Sequence, residues 1–359
     1  MSDISDMSCF SNFVTTPCNP HASPAAKNLM AEIGRSYGKK IISGQMDLTW
    51  NDSVDMTARI FKDTGKRPKL MGFDFMNYTG KWGDGHHQTE EAIRWAKKGG
   101  YVQFCWHWYV KGPNGNWAFY SYSDAPEASR GARRGTDFKI PYDDLSETWK
   151  TDSAEYKLLL NQMKRIADEL ERLQKKNIPV LWRPLHEASG RWFWWGNSGA
   201  KSFIALWRLM YDYFTNTRSL NNLLWVWNGQ AKEFYPGDDF VDFIGQDIYD
   251  APKNYSSQIK KFTEAVNFCD NPETSTKMVA LTENGTIPSP EACKKDGAMW
   301  AWFMTWNDVT RKSGVTREGN FWTGEFYNEN THKKAVYLSD DVITLEWKSL
   351  WEKIFHRSK

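Results

Sequence analysis

Eight short runs rich in branched and aromatic residues recur along the chain, each followed by a helical or loop segment. They are Ile41–Gln45, Leu70–Phe75, Gly100–Trp108, Pro179–Glu187, Leu223–Asn228, Asp242–Tyr249, Lys277–Asn284 and Ala298–Trp306. Runs this apolar read as strands buried on both faces. The intervening segments carry helical spacing over Ala25–Ser36, Ser53–Asp63, His87–Lys98, Ser153–Gln174, Lys201–Thr215, Tyr255–Asn267 and Thr344–Phe355. Strand–helix alternation implies parallel strands, and eight of them in 359 residues imply a closed (β/α)8 TIM barrel of the α/β class. A flavodoxin-like or Rossmann sheet is the alternative, but it usually has fewer strands and a Gly-rich first turn, which this chain lacks. No repeat or low-complexity linker interrupts the pattern. The expectation is a single barrel domain over residues 1–359, with residues 1–24 as an N-terminal extension packed on it.

On a barrel, function lies where strands end. The run ends carry Gln45, Asp74, His107, His186 with Glu187, Asn228, Asp247 with Tyr249, Glu283, and Trp306 with Asn307. Each alone reads as a cap or a solvated turn; polar groups at the same end of nearly every run read as a site. Glu187 ends the fourth run and Glu283 the seventh. Strand spacing and tilt put their Cα atoms roughly 14 Å apart across the mouth. Two inward glutamates then leave about 6 Å between carboxyls, a glycosidase separation that does not distinguish retaining from inverting geometry. Acetal hydrolysis needs both groups, one to protonate the leaving oxygen and one to meet the oxocarbenium-like carbon. Arg183 shares parity with Glu187 and points either to a carboxylate-stabilising role or to a structural ion pair. Tyr249 is placed to donate to Glu283, and Asp247 to orient a base or bind a hydroxyl. A metal site built from His186, His107, Asp74 and Glu187 is the competing chemistry. The long connection Tyr109–Asp152, with GPNGNWAFYSYSD, falls on the same face.

Composition sharpens the ligand. The chain has 20 Trp, 20 Phe and 15 Tyr with a net charge of +2. Indole faces stack on the C–H faces of sugars, so this excess favours a carbohydrate, although large rings also fill large cores. The near-neutral balance does not suggest nucleic acid or an anionic membrane as partner, and no run approaches a membrane span. Residues 1–10 lack a signal peptide pattern, so the chain is either cytosolic or a secreted protein whose leader was replaced. Cys9 with Cys18, and Cys269 with Cys293, are candidate disulfides that would fit secretion; Cys105 reads as a buried thiol.

At residues 182–196 the sequence reads WRPLHEASGRWFWWG, which resembles the acid/base segment of glycoside hydrolase family 26, known mainly for endo-β-1,4-mannanases. FYPGDDFVDFIGQDIYD (234–250), ALTENG (280–285), IISGQ (41–45) and FCWHW (104–108) are similar to its sixth-, seventh-, first- and third-strand segments. The resemblance covers residues 25–355 and implies a (β/α)8 barrel that hydrolyses internal β-1,4 linkages of mannan, glucomannan or galactomannan with retention. It implies Glu187 as acid/base, Glu283 as nucleophile, and His107, His186, Trp192, Asp247, Tyr249 and Trp306 as substrate-binding residues; Trp117 in the long loop is a further candidate platform. No cofactor or metal, a polysaccharide partner, a monomer and a secreted location follow as expectations. Some relatives carry an Arg after the eighth-strand Trp where this chain has Asn307, which puts the distal subsite in doubt. Relatives acting on xylan or mixed-linkage glucan keep those substrates open, and a barrel that binds polysaccharide without cleaving it is the alternative of another class.

Overall fold

Every barrel strand is short and buried along most of its length. In chain order they are β1 (Gly44–Met46), β2 (Leu70–Asp74), β3 (Tyr101–Trp106), β4 (Val180–Pro184), β5 (Leu223–Trp227), β6 (Phe243–Ile248), β7 (Met278–Asn284) and β8 (Phe303–Thr305). All eight pair in parallel, and β8 closes on β1, so the sheet has no edge. This is the (β/α)8 barrel that the strand pattern predicts. The computed structural model describes residues 12–49, 55–79, 87–121, 135–307 and 320–346.

The helices follow from local chemistry. In α1 (Pro24–Ser36), Ser23 caps the Ala26 N–H and proline opens the first turn. Asp55 caps α2 (Met56–Thr64), and Gly65 ends it in a left-handed conformation. Next come α3 (Gln88–Lys97) and α4 (Ala154–Gln174), the latter capped by Ser153. Helix α4 buries Leu159, Met163, Ile166, Leu170 and Leu173 as one stripe. Each such side chain contributes about 1.5–3 kcal/mol of transfer free energy. Four-residue α5 (Trp194–Asn197) precedes α6 (Ala200–Asp212), which runs on into a π turn over Tyr213–Thr217. Helices α7 (Ile259–Val266), α8 (Pro290–Asp296) and α9 (Asn330–Leu338) follow; the sequence pattern predicts no helix at the last two.

Several sequence expectations change. The first run splits: Ile41–Ile42 leaves the barrel and pairs with Val342–Ile343, while Gly44–Met46 stays in it. The helix expected over Thr344–Phe355 does not start there, because Val342–Leu345 is a strand paired with Ile41–Ile42 and Arg67–Pro68; residues 347–355 lie outside the described residues. Cys269 and Cys293 are both buried free thiols rather than a disulfide. The Cys269 sulfur accepts from the Lys277 N–H, and Cys293 is fixed within α8. Cys18 is also free, and Cys9 lies outside the described residues. Cys105 is buried and free, as expected. Of the N-terminal stretch, Phe13 bridges to Thr276 and the Cys18 N–H reaches the Asp242 carboxylate.

The tryptophans are mainly core. Trp106, Trp108, Trp182, Trp194, Trp195, Trp207, Trp225, Trp227, Trp300, Trp302 and Trp322 are fully buried. Several donate their N–H to loop carbonyls: Trp194 to Trp108 O, Trp195 to His186 O, Trp227 to Phe234 O and Trp300 to Ser257 O. Each such indole fills core volume and ties a loop to the barrel.

Candidate active site

The mouth of the barrel at the strand C-terminal ends holds a compact charged cluster. Carboxylate oxygens of Glu187, Asp247 and Glu283 lie within 4.8 Å of one another. Arg183 rises from β4 beneath them, fully buried, and its guanidinium touches Asn228, Asp247 at 2.9 Å and Glu283. The other Glu283 oxygen accepts from the Tyr249 hydroxyl at 2.6 Å. Asp247 also accepts from the Thr282 hydroxyl at 2.7 Å.

Two backbone features aim these groups. Between β6 and β7 the register shifts: Gln246 pairs with Leu281, but Asp247 pairs with Glu283. The extra residue, Thr282, is a bulge, which bends the strand and redirects the side chain after it. At the end of β4, Leu185 and Glu187 both adopt positive φ, 55° and 54°. For side-chain-bearing residues this conformation costs about 1–2 kcal/mol each. It is held by the Glu187 N–H donating to Asn228 O at 2.7 Å and by Trp195 donating to His186 O at 2.8 Å. Trp192 then folds back over Gly190, where a Cβ would stand 2.0 Å from the indole, and its N–H meets Glu187 at 3.0 Å.

A second polar chain borders the cluster. The Asp74 carboxylate receives the His107 Nδ1–H at 2.5 Å and the His107 backbone N–H at 3.0 Å. His107 Nε2 faces His186 Nε2 at 3.2 Å, and His186 Nδ1 is buried with no hydrogen-bond partner. Burial works against a charged His107, but the charge and hydrogen bond of Asp74 outweigh it and hold the imidazole above its usual range. Burial, then Arg183 and His107, push His186 well below it. His107 is therefore the donor between the two rings and His186 the neutral partner. With their ring nitrogens facing each other, the histidines do not converge with Asp74 and Glu187 on one ion. The carboxylate cluster already has its cation in Arg183.

The environments of the acids differ. Burial first, then the Glu283 charge, raise Glu187 to about 7, against Arg183, the Trp192 N–H and His107. Burial raises Asp247 despite Arg183, with Glu283 and Glu187 adding to the rise. Burial at its hydroxyl end, then Glu283, Glu187 and Asp247, raise Tyr249, which stays a donor, although the residue as a whole is half-exposed.

Aromatic rings wall the mouth. Phe119 from the long loop meets His107 at 5.0 Å, Tyr120 stacks on Phe193 at 5.3 Å, and Trp306 lies 6.0 Å from His107. Thus Glu187, Glu283, His107, His186, Trp192, Asp247, Tyr249 and Trp306 come together. Trp117 does not: it sits opposite Lys111 in a two-stranded ribbon and enters none of these contacts. Asn307 is buried, donating to Asp47 O at 3.1 Å. Phe119, Tyr120, Phe193, Thr282 and Asp74, as the His107 partner, were not singled out by sequence; the FYSYSD and RWFWWG stretches carried the aromatic signal, and nothing marked the bulge.

The family model of glycosyl hydrolase family 26 matches residues 18–337. The chain belongs to that family. Among curated relatives, a mannan endo-1,4-β-mannosidase of Thermothelomyces thermophilus is 36% identical over 93% of this chain and 63% of its own length. A mannan endo-1,4-β-mannosidase B of a Piromyces species is 36% identical over 81% of this chain and 48% of its own. The chain thus spans just under two thirds of the first of these relatives and about half of the second. A β-mannanase from a symbiotic protist of the termite Reticulitermes speratus, solved with a gluco-manno-oligosaccharide, superposes with a TM-score of 0.79. It is 34% identical and covers 93% of this family member and 97% of that chain. No helix among the described residues is long and apolar enough to cross a membrane.

Proposed function

We propose that this family 26 protein is an endo-β-1,4-mannanase that cleaves internal linkages of mannan, glucomannan and galactomannan by retaining double displacement. The observation that carries the reading is the pairing of Glu187 and Glu283. Their nearest carboxylate oxygens lie within 4.8 Å of each other, so both groups face one site, as acid and nucleophile must in glycoside hydrolysis. Their surroundings also divide the labour: Glu187 is raised to about 7, whereas Glu283 accepts from Arg183 and Tyr249. The names and the bound oligosaccharide of the relatives support mannan as substrate.

In the first step a Glu283 oxygen bonds to the anomeric carbon, the glycosidic C–O bond breaks, and Glu187 delivers its proton to the departing oxygen. In the second, Glu187 takes a proton from water, the hydroxide adds to the same carbon, and the ester to Glu283 breaks. His107, His186 and Asp247 orient the bound sugar, and Trp192 and Trp306 supply faces for it. Tyr249 keeps Glu283 in place. The chemistry calls for no cofactor, and the protein acts as a monomer outside the cell, where such a polymer is found.

Reducing-sugar release from linear mannan, xylan and mixed-linkage glucan tests this. Activity on mannan that is lost in both Glu187→Ala and Glu283→Ala is the expected result. Activity on another polymer, lost in the same variants, replaces the substrate; full activity in either variant refutes the residue assignment.

A further inference from the structure

The aromatic character of the mouth does not stop at the residues already given roles. Tyr249 donates its hydroxyl to Glu283, yet the residue is 47% exposed. Beside it lies Phe321, with ring centroids 5.7 Å apart; Phe321 meets Tyr327 at 4.8 Å, and Tyr327 meets Phe326 at 5.1 Å. Phe326 ends the series, 41% exposed. A large apolar ring that open to water, joined ring by ring to the group holding Glu283, is the arrangement expected of a surface waiting for a ligand.

The strip is held rigidly. Phe321 lies so close over Gly285, two residues beyond Glu283, that a Cβ there would stand 2.7 Å from its ring. The buried Asn328 side chain donates to Gly285 O at 2.7 Å and to Phe321 O at 3.0 Å, and accepts from the Ile287 N–H at 2.8 Å. The Lys253 N–H donates to Tyr327 O at 3.0 Å. Three loops are thereby locked together under the rings, so binding there would require little ordering. Half-buried Asp250 and exposed Lys253 and Glu325 flank the rings with groups able to meet hydroxyls. Aromatic faces with polar groups at their edges suit a pyranose, which has C–H faces and hydroxyl edges.

We propose that Phe321, Tyr327 and Phe326 form an extended subsite for a β-1,4-linked hexose polymer, continuing the cleft outward from Tyr249. This rests on the glycosidase reading of the mouth and adds a subsite away from the cleaved bond. An aromatic contact of this kind is worth about 2- to 10-fold in affinity.

The test compares wild type with Phe326→Ala and Phe326→Trp on mannohexaose and mannotriose, reading kcat and KM separately. Phe326 is exposed, so its removal leaves the fold intact. The expected result is a KM for mannohexaose raised about 2- to 10-fold in Phe326→Ala with kcat within about twofold. Mannotriose kinetics stay unchanged, and Phe326→Trp returns KM to the wild-type value or below. An unchanged KM for the hexamer, or an equal rise on both lengths, overturns the subsite while leaving the enzyme assignment standing. If wild type cleaves a different β-1,4 polymer, the same comparison is made on its hexamer and trimer. If it cleaves none, the enzyme reading and the subsite fall together.

Discussion

Replacing Glu187 with Gln should stabilise the protein, and only at the pH where the carboxyl would ionise. Glu187 is raised to about 7, chiefly by burial and then by the Glu283 charge, from an ordinary value of 4.5. Between those two values the unfolded chain has released a proton that the native chain still holds. The native state therefore binds more protons, and stability falls as pH rises through this window. At 1.36 kcal/mol per pH unit the gap amounts to roughly 3 kcal/mol once pH exceeds about 7. Gln keeps the volume, still accepts from the Trp192 N–H and cannot ionise. Below about pH 4.5 the two proteins should be equally stable. At higher pH the variant gains roughly 3 kcal/mol, which for an unfolding entropy of about 2.1 cal/mol/K per residue is roughly 4 °C in Tm. Calorimetric Tm values for both proteins across this range are the assay, with the alkaline limb of wild-type kcat/KM expected near pH 7 as its kinetic counterpart. A Tm difference that does not change with pH, or one that grows toward acid, would refute the account of Glu187.

Arg183→Met removes the cation shared by Asp247 and Glu283 and leaves buried carboxylates uncompensated; a loss of about 3–5 kcal/mol is expected, read as a Tm lower by several degrees together with loss of activity. Tyr249→Phe keeps the ring against Phe321 and removes only the hydrogen bond to Glu283. A charge-assisted bond of about 1.5–3 kcal/mol corresponds to a kcat/KM lower by roughly 10- to 100-fold, with Tm lower by no more than about 4 °C.

The barrel was legible because strands buried on both faces are apolar throughout, and runs such as Leu223–Trp227 stand out on that ground alone. The mouth was legible because β4 and β7 end in carboxylates that a core would not hold. What failed has a different character. Glu187 and Leu185 adopt a left-handed backbone without a glycine to announce it. The bulge at Thr282 depends on pairing across β6 and β7, which no local pattern encodes. The Asp74–His107 bond joins β2 to the loop after β3, so neither residue signals its partner. The helix expected from Thr344 onward gives way to the strand Val342–Leu345, whose pairing partner, Ile41–Ile42, lies at the other end of the chain. The tryptophan excess was informative for the wrong reason in part: it suggested sugar faces, but most described indoles fill the core, while Trp192 and Trp306 remain half-buried at the mouth.

Burial raises both Glu187 and Asp247, and crowding of negative charge adds to it in one cluster. A single buried cation, Arg183, faces three carboxyl groups, so the cluster resists holding every negative charge at once. This couples the two steps of the proposed reaction. When Glu283 becomes an ester it loses its charge, and the second-largest influence raising Glu187 disappears. Arg183, relieved of one partner, then lowers Glu187 further. Glu187, having given its proton to the leaving oxygen, therefore stays ionised near neutrality, ready to take a proton from the attacking water. Glu283→Gln imitates the charge of the ester without the sugar. In that variant Glu187, followed by carbon NMR of labelled glutamate, should titrate clearly below about 7, the value expected in wild type. An unchanged titration would mean that burial alone raises Glu187, and the alternation between acid and base would then need another cause than the charge on its neighbour.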